Sequence, residues 1–198
     1  GVREALIAVD GGRPIVLITG RAGTGKTTHV HHLRERAGGE TQAVVAPTGV
    51  AALNARAQTI HSFFQFPFGV LDPQRLRPSR NAGKLYKRMQ RLVIDEISMV
   101  RADTLDAVDA ILRHFRQQPL LPFGGLQVLY IGDLYQLPPV VKEPEWELLR
   151  SVYASPFFFD AQVIRLAPPV YLELKKIYRQ KESRFIGLLN NIRNNQAG

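Results

Sequence analysis

The stretch from Gly20 to Thr28 constrains the fold of this chain most strongly. It reads GRAGTGKTT and fits the pattern G-x-x-x-x-G-K-[ST]. A short apolar run of strand type precedes it at residues 14–19, and residues 28–33 can continue as a helix. Strand, glycine-rich loop and helix in this order predict a phosphate-binding loop, because glycines let backbone N–H groups turn inward around a polyphosphate. A glycine-rich turn that matches by chance is the alternative, and the flanking elements disfavour it.

The side chains of this loop have separate expected roles. Lys26 should reach the β- and γ-phosphates, and the Thr27 hydroxyl should take one position around a magnesium ion. The start of the following helix adds positive potential. The sequence therefore predicts nucleotide contacts from most of the loop: Gly20, Ala22, Gly23, Thr24, Gly25, Lys26, Thr27 and Thr28.

The composition narrows the class of protein. A chain of 198 residues that is 45% hydrophobic can bury one full core. Cysteine is absent, which excludes disulfides and thiolate metal sites. With no signal peptide and no apolar run of spanning length, we expect a soluble intracellular protein with no membrane partner. The net charge of +9 favours a polyanionic partner, a merely basic surface being the alternative.

Apolar runs of strand type alternate with helical patterns along the chain. Further strands are predicted at residues 42–47, 91–94 and 126–133, and QVIRL and VYLELKKIYRQ are interpreted as two last strands split by two prolines. Helices are predicted between and around these strands, at residues 2–10, 48–57, 81–90, 105–115 and 185–193, with a further short helix around Trp146 within residues 143–153. The expected fold class is α/β, a mostly parallel sheet flanked by helices.

Two carboxylates, Asp95 and Glu96, follow the strand that starts at Arg91. At the carboxyl end of a parallel strand the chain turns, so both side chains can face the phosphate loop. Asp95 could hold magnesium through water, and Glu96 could orient and deprotonate an attacking water. An acidic pair that opens the next helix is the alternative.

Two polar residues further along could respond to the γ-phosphate. Gln136 lies in GDLYQLPPV, directly after the strand at residues 126–133, and its amide can both donate and accept. Arg179 could complete the phosphate shell across a domain cleft. The alternatives are an ordinary polar loop residue and an ordinary surface ion pair.

Small residues surround the predicted helix start at Thr48. They leave backbone exposed near Gly49, which suits either close packing of helix on sheet or a groove that a phosphate backbone approaches. His61 could bond a phosphate or a base, or be a satisfied core histidine. Four aromatic residues crowd the same region and could form core or stack on bases: Phe63, Phe64, Phe66 and Phe68.

Residues 73–94 contain no acid. An amphipathic helix is predicted at residues 81–90, with Leu85 and Met89 facing inward. We expect a solvated basic face there that helps to hold phosphates. Seven cations contribute to this stretch: Arg75, Arg77, Arg80, Lys84, Lys87, Arg88 and Arg91.

With these residues in view, the chain resembles the petite-integration-frequency (Pif) family of DNA helicases, superfamily-one enzymes related to the RecD-like branch. The match covers nearly the whole chain and is closest to bacterial members. GRAGTGKTT alone is unspecific, whereas DEIS, GDLYQLPP and YRQ together are highly specific. The other matching segments follow in the family's order: VAPTGVAALN, TIHSFF and LKKIYRQ.

The resemblance implies a RecA-like P-loop NTPase domain that uses ATP and magnesium and moves 5′ to 3′ on single-stranded DNA. It also implies family roles in DNA repair, recombination and telomere maintenance. Lys26 and Thr27 would hold nucleotide and metal, Asp95 would hold magnesium, and Glu96 would activate water. Gln136 and Arg179 would sense the γ-phosphate. The DNA strand would be contacted by Pro47, Thr48, Gly49, His61 and Phe64.

Two departures from the family pattern shape the expectation. No glutamine lies in residues 1–13, where the family often recognises adenine. The late motifs of a second motor domain are also missing after YRQ. We therefore expect residues 1–140 to be a first motor domain, residues 141–161 a small appendage, and residues 162–198 the last strands and the start of a second domain. The partners would be that second domain, single-stranded DNA, and DNA forks or secondary structures, with the protein as a monomer.

Competing classes lack the motifs they need. A guanine-reading N-K-x-D is absent, and a small-molecule kinase has no use for GDLYQLPP. A hexameric ring ATPase would carry a sensor asparagine where Gln136 stands. A nucleotide-gated module that clamps DNA without travelling remains the alternative, and hydrolysis by this chain alone should be feeble.

Overall fold

Six parallel strands form one sheet in the computed structural model, in the order β3-β2-β4-β5-β1-β6. The structure describes residues 15–20, 31–32, 35, 42–174, 187–192 and 194. The predicted α/β class with a parallel sheet is confirmed, and so are the strand predictions in the first two thirds of the chain. The strands are β1 Ile15–Thr19, β2 Gln42–Ala46, β3 Gln58–Thr59, β4 Arg91–Ile94, β5 Gln127–Gly132 and β6 Val170–Glu173.

The central strands are buried on both faces, which explains their continuous apolar sequences. All five residues of β1 are buried, and β1 lies between β5 and β6. Alternate side chains enter two separate core clusters, with Leu17 and Val128 in one and Val16 and Leu129 in the other. The larger cluster is covered by helices.

Six helices whose two ends are both described flank the sheet. Three of them begin at a residue whose hydroxyl accepts an amide three positions later: Thr48, Thr59 and Ser79. The predicted helix over residues 48–57 is shorter than expected, although its Thr48 cap is confirmed. Residues 187–192 are also helical, while the predicted helix at residues 2–10 lies outside the described residues. The helices are α1 Gly49–Asn54, α2 Ile60–Phe64, α3 Arg80–Arg88, α4 Ala102–Phe115, α5 Glu143–Leu149 and α6 Gln162–Leu166.

The prediction that QVIRL forms a strand is wrong, because these residues are helix α6. Its first amides are bonded by the carboxylate of Asp106 on α4: Oδ2 accepts from Gln162 and Oδ1 from Val163, each at 3.0 Å. Oδ2 also accepts the hydroxyl of Tyr153 at 2.7 Å. An anionic acceptor at the positive end of a helix favours that helix. The second predicted strand is confirmed over Val170–Glu173.

Helix α3 faces the core differently from the prediction. Met89, just after its end, is buried as expected, but Leu85 is 44% exposed and Tyr86 is fully buried in its place. Gly83 explains the rotation, since a Cβ there would lie 2.3 Å from the ring of Phe115 on α4. The two helices therefore approach closely at a residue without a side chain.

Residues on both sides of positions 140 and 162 contribute to one sheet and one core cluster. Strand β6 pairs with β1 in the main sheet. Leu149, Tyr153 and Phe158 lie in the same core cluster as α4. These later residues therefore pack with the ones that precede them, and the domain boundaries at residues 140 and 162 stay a prediction.

Candidate nucleotide site and nucleic-acid groove

Three neighbouring strands bring their following residues to one edge of the sheet. Gly20 follows β1, Asp95 follows β4, and Asp133 follows β5, which lies between them. In the register of the sheet, Thr19 is opposite Gly132 and Ile94 is opposite Tyr130. The predicted phosphate loop therefore starts at the edge that carries the acidic pair, although Ala22 to Thr28 and Arg179 lie outside the described residues.

A strained turn presents the acidic pair. The amide of Asp95 donates to the carbonyl of Val45 at 2.9 Å and extends the contact between β4 and β2. Glu96 has φ 50° and ψ 48°, the left-handed conformation that non-glycine residues rarely adopt. A 3-10 turn, Ile97–Met99, follows, and α4 begins only at Ala102. The pair thus belongs to the end of the strand, and the alternative of an acidic start to the long helix is wrong.

Gly132 makes room for this turn at the end of β5. A Cβ on Gly132 would lie 3.1 Å from both the backbone nitrogen and Cγ2 of Ile97. The turn after Glu96 therefore lies directly against the β5 backbone. No role was predicted for Gly132 from the sequence. A glycine directly before an acid at the end of a strand could have indicated a close approach of another backbone segment.

The loop after β5 is shaped by Asp133, a buried residue that the sequence analysis also left without a role. Its Oδ1 accepts the amide of Tyr135 at 3.0 Å, and its carbonyl accepts the amide of Gln136 at 3.1 Å. This side-chain turn is typical of aspartate. Gln136 is half-buried, and it lines a surface pocket together with Met99. The loop with Gln136 therefore adjoins the segment that carries the acidic pair.

A second concave surface, which we call the groove, has a volume of about 180 Å³. Three residues expected to contact DNA, Pro47, Thr48 and His61, lie together in its wall. Other residues that line the groove were not predicted from the sequence, and they include Arg101, Pro139 and Val140. Pro139 and Val140 belong to the same loop as Gln136, so one loop borders both the groove and the pocket beside Met99.

Thr48 and Gly49 offer different groups at this surface. The Thr48 hydroxyl accepts the amide of Ala51 at 3.2 Å and keeps its own proton for a second partner. Gly49 is exposed, and a Cβ placed on it would meet no atom within 4 Å. Packing in the described structure therefore does not require a glycine there, which weakens the close-packing interpretation of this position.

Phe64 was expected to contact DNA, and the structure contradicts this. Its side chain is fully buried in the core, where its ring lies 5.1 Å from that of Tyr86. Phe68 is 97% exposed instead, and its ring stacks on His61 at 6.3 Å with an interplanar angle of 17°. The aromatic face available to a base beside His61 is therefore that of Phe68.

The surroundings of His61 favour the neutral form of its imidazole. Burial lowers its pKa from 6.5, and the charge of Arg101 lowers it further, while Asp103 acts in the opposite direction. The Arg101 guanidinium is itself paired, donating to Asp103 Oδ2 at 2.9 Å and lying 3.2 Å from Glu145. The groove thus offers the neutral hydrogen-bonding groups of an imidazole beside an ion-paired arginine.

The part of the chain that the structure describes contains neither a metal-binding cluster of side chains nor a helix suited to span a membrane. No cluster of three or more histidine, aspartate or glutamate side chains is arranged to hold a metal ion. No helix there has the length and apolar character that a membrane span requires.

The parallel sheet, with the start of the phosphate loop, the acidic pair and a glutamine loop at one edge, defines a RecA-like P-loop domain. The chain matches the family model described as PIF1-like helicase over residues 3–197. It therefore belongs to the PIF1-like helicase family, as its motifs predicted.

Relatives and solved structures agree with this assignment. ATP-dependent DNA helicase PIF1 of Mus musculus is 39% identical over 183 residues, 90% of this chain and 26% of that protein. ATP-dependent DNA helicase Pif1 of Psychrobacter is 38% identical over 156 residues, 74% of this chain and 23% of that protein. A crystal structure of Pif1 helicase from Bacteroides with ADP-AlF3 and ssDNA is 44% identical, with a TM-score of 0.81, and the match covers 98% of this chain and 45% of that one. The chain thus spans about a quarter of the curated relatives it matches.

Proposed function

We propose that this chain is the N-terminal motor domain of an ATP-dependent DNA helicase that translocates 5′ to 3′ on single-stranded DNA. The observation that carries the proposal is the position of Asp95 and Glu96 at the sheet edge where the segment from Gly20 begins. This is the arrangement in which a carboxylate pair can act on a triphosphate held by that segment.

The residues at this edge suit a magnesium-bound nucleotide. Asp95 supplies oxygen ligands of the kind that Mg²⁺ prefers, and Thr27 would supply a hydroxyl. When bound, the ion would neutralise charge on the phosphates. Lys26 would contact the β- and γ-phosphates, assisted by the loop backbone.

Glu96 is the group we assign to accept the proton of the attacking water. The turn fixes its backbone conformation, so the direction in which its side chain leaves the backbone is set before substrate arrives. Gln136 would orient toward the γ-phosphate, and Arg179 would contribute charge from the C-terminal part of the chain. A second motor domain of the same polypeptide would close over the nucleotide.

The groove is the proposed path of single-stranded DNA. Thr48 and His61 offer hydrogen-bond donors, Gly49 offers open backbone, and Phe68 offers an exposed ring for stacking. The loop from Asp133 to Val140 would link the two sites, since Gln136 lines the pocket beside Met99 and Val140 lines the groove. A DNA substrate, at a fork or in a folded structure, would place the protein at the bacterial nucleoid, and we expect it to act as a monomer.

Two measurements on the 198-residue chain test this proposal. A non-hydrolysable ATP analogue with magnesium should raise the thermal midpoint of the wild type and not of Lys26→Ala. Fluorescence anisotropy should show binding of a single-stranded oligonucleotide that changes when the analogue is added. Equal stabilisation of Lys26→Ala, or phosphate transfer to a small acceptor, would contradict the assignment. Nucleotide-gated DNA binding by a full-length protein that shows no DNA-stimulated hydrolysis would favour the clamp without translocation.

A further inference from the structure

Helix α3 presents four cations on one exposed face, which we call the basic stripe: Arg80, Lys84, Lys87 and Arg88. Successive helical residues are 100° apart, so the four side chains fall within about 100° of arc. The buried residues Gly83 and Tyr86 lie outside this arc. From the first cation to the last, the stripe is about 12 Å long.

No described acid neutralises the basic stripe. Residues 73–94 contain neither aspartate nor glutamate, and none of the four side chains forms an ion pair within the described residues. Other exposed arginines on the described surface do form ion pairs, as Arg150 does with Glu147 and Arg165 with Asp160. The stripe therefore keeps its charge available for a partner.

The stripe is also not needed to complete its own helix. Lysine and arginine near a helix C-terminus often bond the last carbonyls. Here Arg116 of the neighbouring segment does so, donating to the carbonyls of Tyr86 at 3.1 Å and Met89 at 2.6 Å. Lys87 and Arg88 are therefore left facing solvent although they lie in the last turn.

The helix beneath the stripe is fixed to the element that carries His61. The Tyr86 hydroxyl donates to the carbonyl of Phe63 on α2 at 2.6 Å. Gln65, which ends α2, accepts the amide of Ser79 at 2.7 Å and donates to its hydroxyl at 3.3 Å. A strand in the groove and a ligand on the stripe would thus be bound by two joined helices.

We propose that the basic stripe binds the phosphate backbone of duplex DNA, an inference that rests on the proposed function in DNA unwinding. Duplex DNA carries on each strand one outward-facing phosphate for about every 3.4 Å of helix axis, so a row of cations about 12 Å long can face more than one phosphate at once. Proteins that hold single strands combine charge with stacking aromatics. The exposed residues of α3 include no aromatic, since Tyr86 is buried. The stripe therefore offers cations for the phosphates of a duplex and lacks the aromatic rings on which the bases of a single strand would stack.

The test compares two double variants that each remove two exposed arginines. Arg80→Gln with Arg88→Gln removes half of the stripe, while Arg150→Gln with Arg165→Gln changes the net charge equally at sites away from α3. Anisotropy titrations with a blunt duplex and with a single-stranded oligonucleotide are run from 50 to 300 mM salt. Unchanged thermal midpoints would show that both variants fold.

The stripe variant should lose duplex affinity by about tenfold at low salt, with the salt slope reduced by about 0.9 for each contact removed. Its single-strand affinity and both affinities of the control should change less than threefold. Equal losses on duplex and single strand, or equal losses in both variants, would overturn the stripe as a duplex site. Wild-type protein that binds neither DNA would overturn the proposed function as well, whereas duplex binding that ignores the stripe would overturn only this inference.

Discussion

The backbone amide of Glu96 donates a 2.8 Å hydrogen bond to Oδ1 of Asp95, the residue before it. The two carboxylates are thus presented by one turn in which the first stabilises the unusual backbone of the second. The left-handed conformation of a non-glycine residue costs about 1 kcal/mol or more, so the backbone is strained at the site where we place the chemistry.

Replacing Glu96 separates its backbone strain from its chemical role. Glu96→Gly should be more stable than Glu96→Ala by about 1 kcal/mol, because glycine adopts the left-handed conformation freely. Chemical denaturation of both variants measures this difference.

Glu96→Gln should keep nucleotide binding while hydrolysis by the full-length protein collapses. Unchanged turnover would remove Glu96 from the role of base.

Adding a methyl group at Gly132 should disturb the same turn from below. In Gly132→Ala the new Cβ meets the Ile97 backbone at 3.1 Å, so the turn must shift by a few tenths of an ångström. We expect a loss of about 1–3 kcal/mol in unfolding free energy and a larger fall in hydrolysis than in nucleotide affinity. Gly187→Ala, where a Cβ meets nothing within 4 Å, is the control. A fully active variant would show that the turn tolerates displacement.

Gly49 provides a test of backbone contact with DNA. Gly49→Ala should leave the thermal midpoint of the free protein unchanged or slightly raised, because the site is open and alanine favours a helix. If a phosphate approaches this backbone, the methyl group should weaken single-strand binding several-fold. Val50→Ala alters an exposed neighbour and should not. Unaltered binding by Gly49→Ala would exclude close approach at this residue.

His61 predicts a pH dependence of stability. Its pKa is lowered in the folded protein by burial and by Arg101, with Asp103 opposing, whereas in the unfolded chain it is about 6.5. As pH falls through 6.5, His61 takes up a proton in the unfolded state before it does so in the folded state. The protein therefore loses stability as pH falls from 6.5 to the lower pKa of His61 in the folded state. His61→Gln should therefore lose less stability than the wild type between pH 8 and pH 5. His114→Gln, at an exposed site, serves as control, and identical pH curves for wild type and His61→Gln would contradict the prediction.

The site at the carboxyl ends of β1, β4 and β5 could be predicted because the sequence patterns that indicate it are local. β1, β4 and β5 are continuous apolar runs, and the residues that follow them, including Asp95 and Glu96, carry distinctive spacing. The sequence could not predict α6 as a helix, since its five residues fit either state. The contact that decides it comes from Asp106, 56 residues before Gln162.

Side-chain orientation was predicted less well than strand position. Phe64 and Phe68 are equivalent as residue types, and tertiary packing, which places Phe64 against Tyr86, determines which is buried. Likewise, the rotation of α3 depends on Gly83 meeting Phe115, a contact between separate helices. Both errors concern tertiary packing that pattern alone does not specify.

The bonds made by Asp106 also set a limit on how this polypeptide can be shortened or synthesised. Its donors lie 47 to 57 residues downstream, at Tyr153 and at the first turn of α6. A fragment ending before Val163 would leave an anionic oxygen in the interior without its donors, at a cost of several kcal/mol. During translation, α4 therefore cannot reach its final environment until the ribosome has released those later residues.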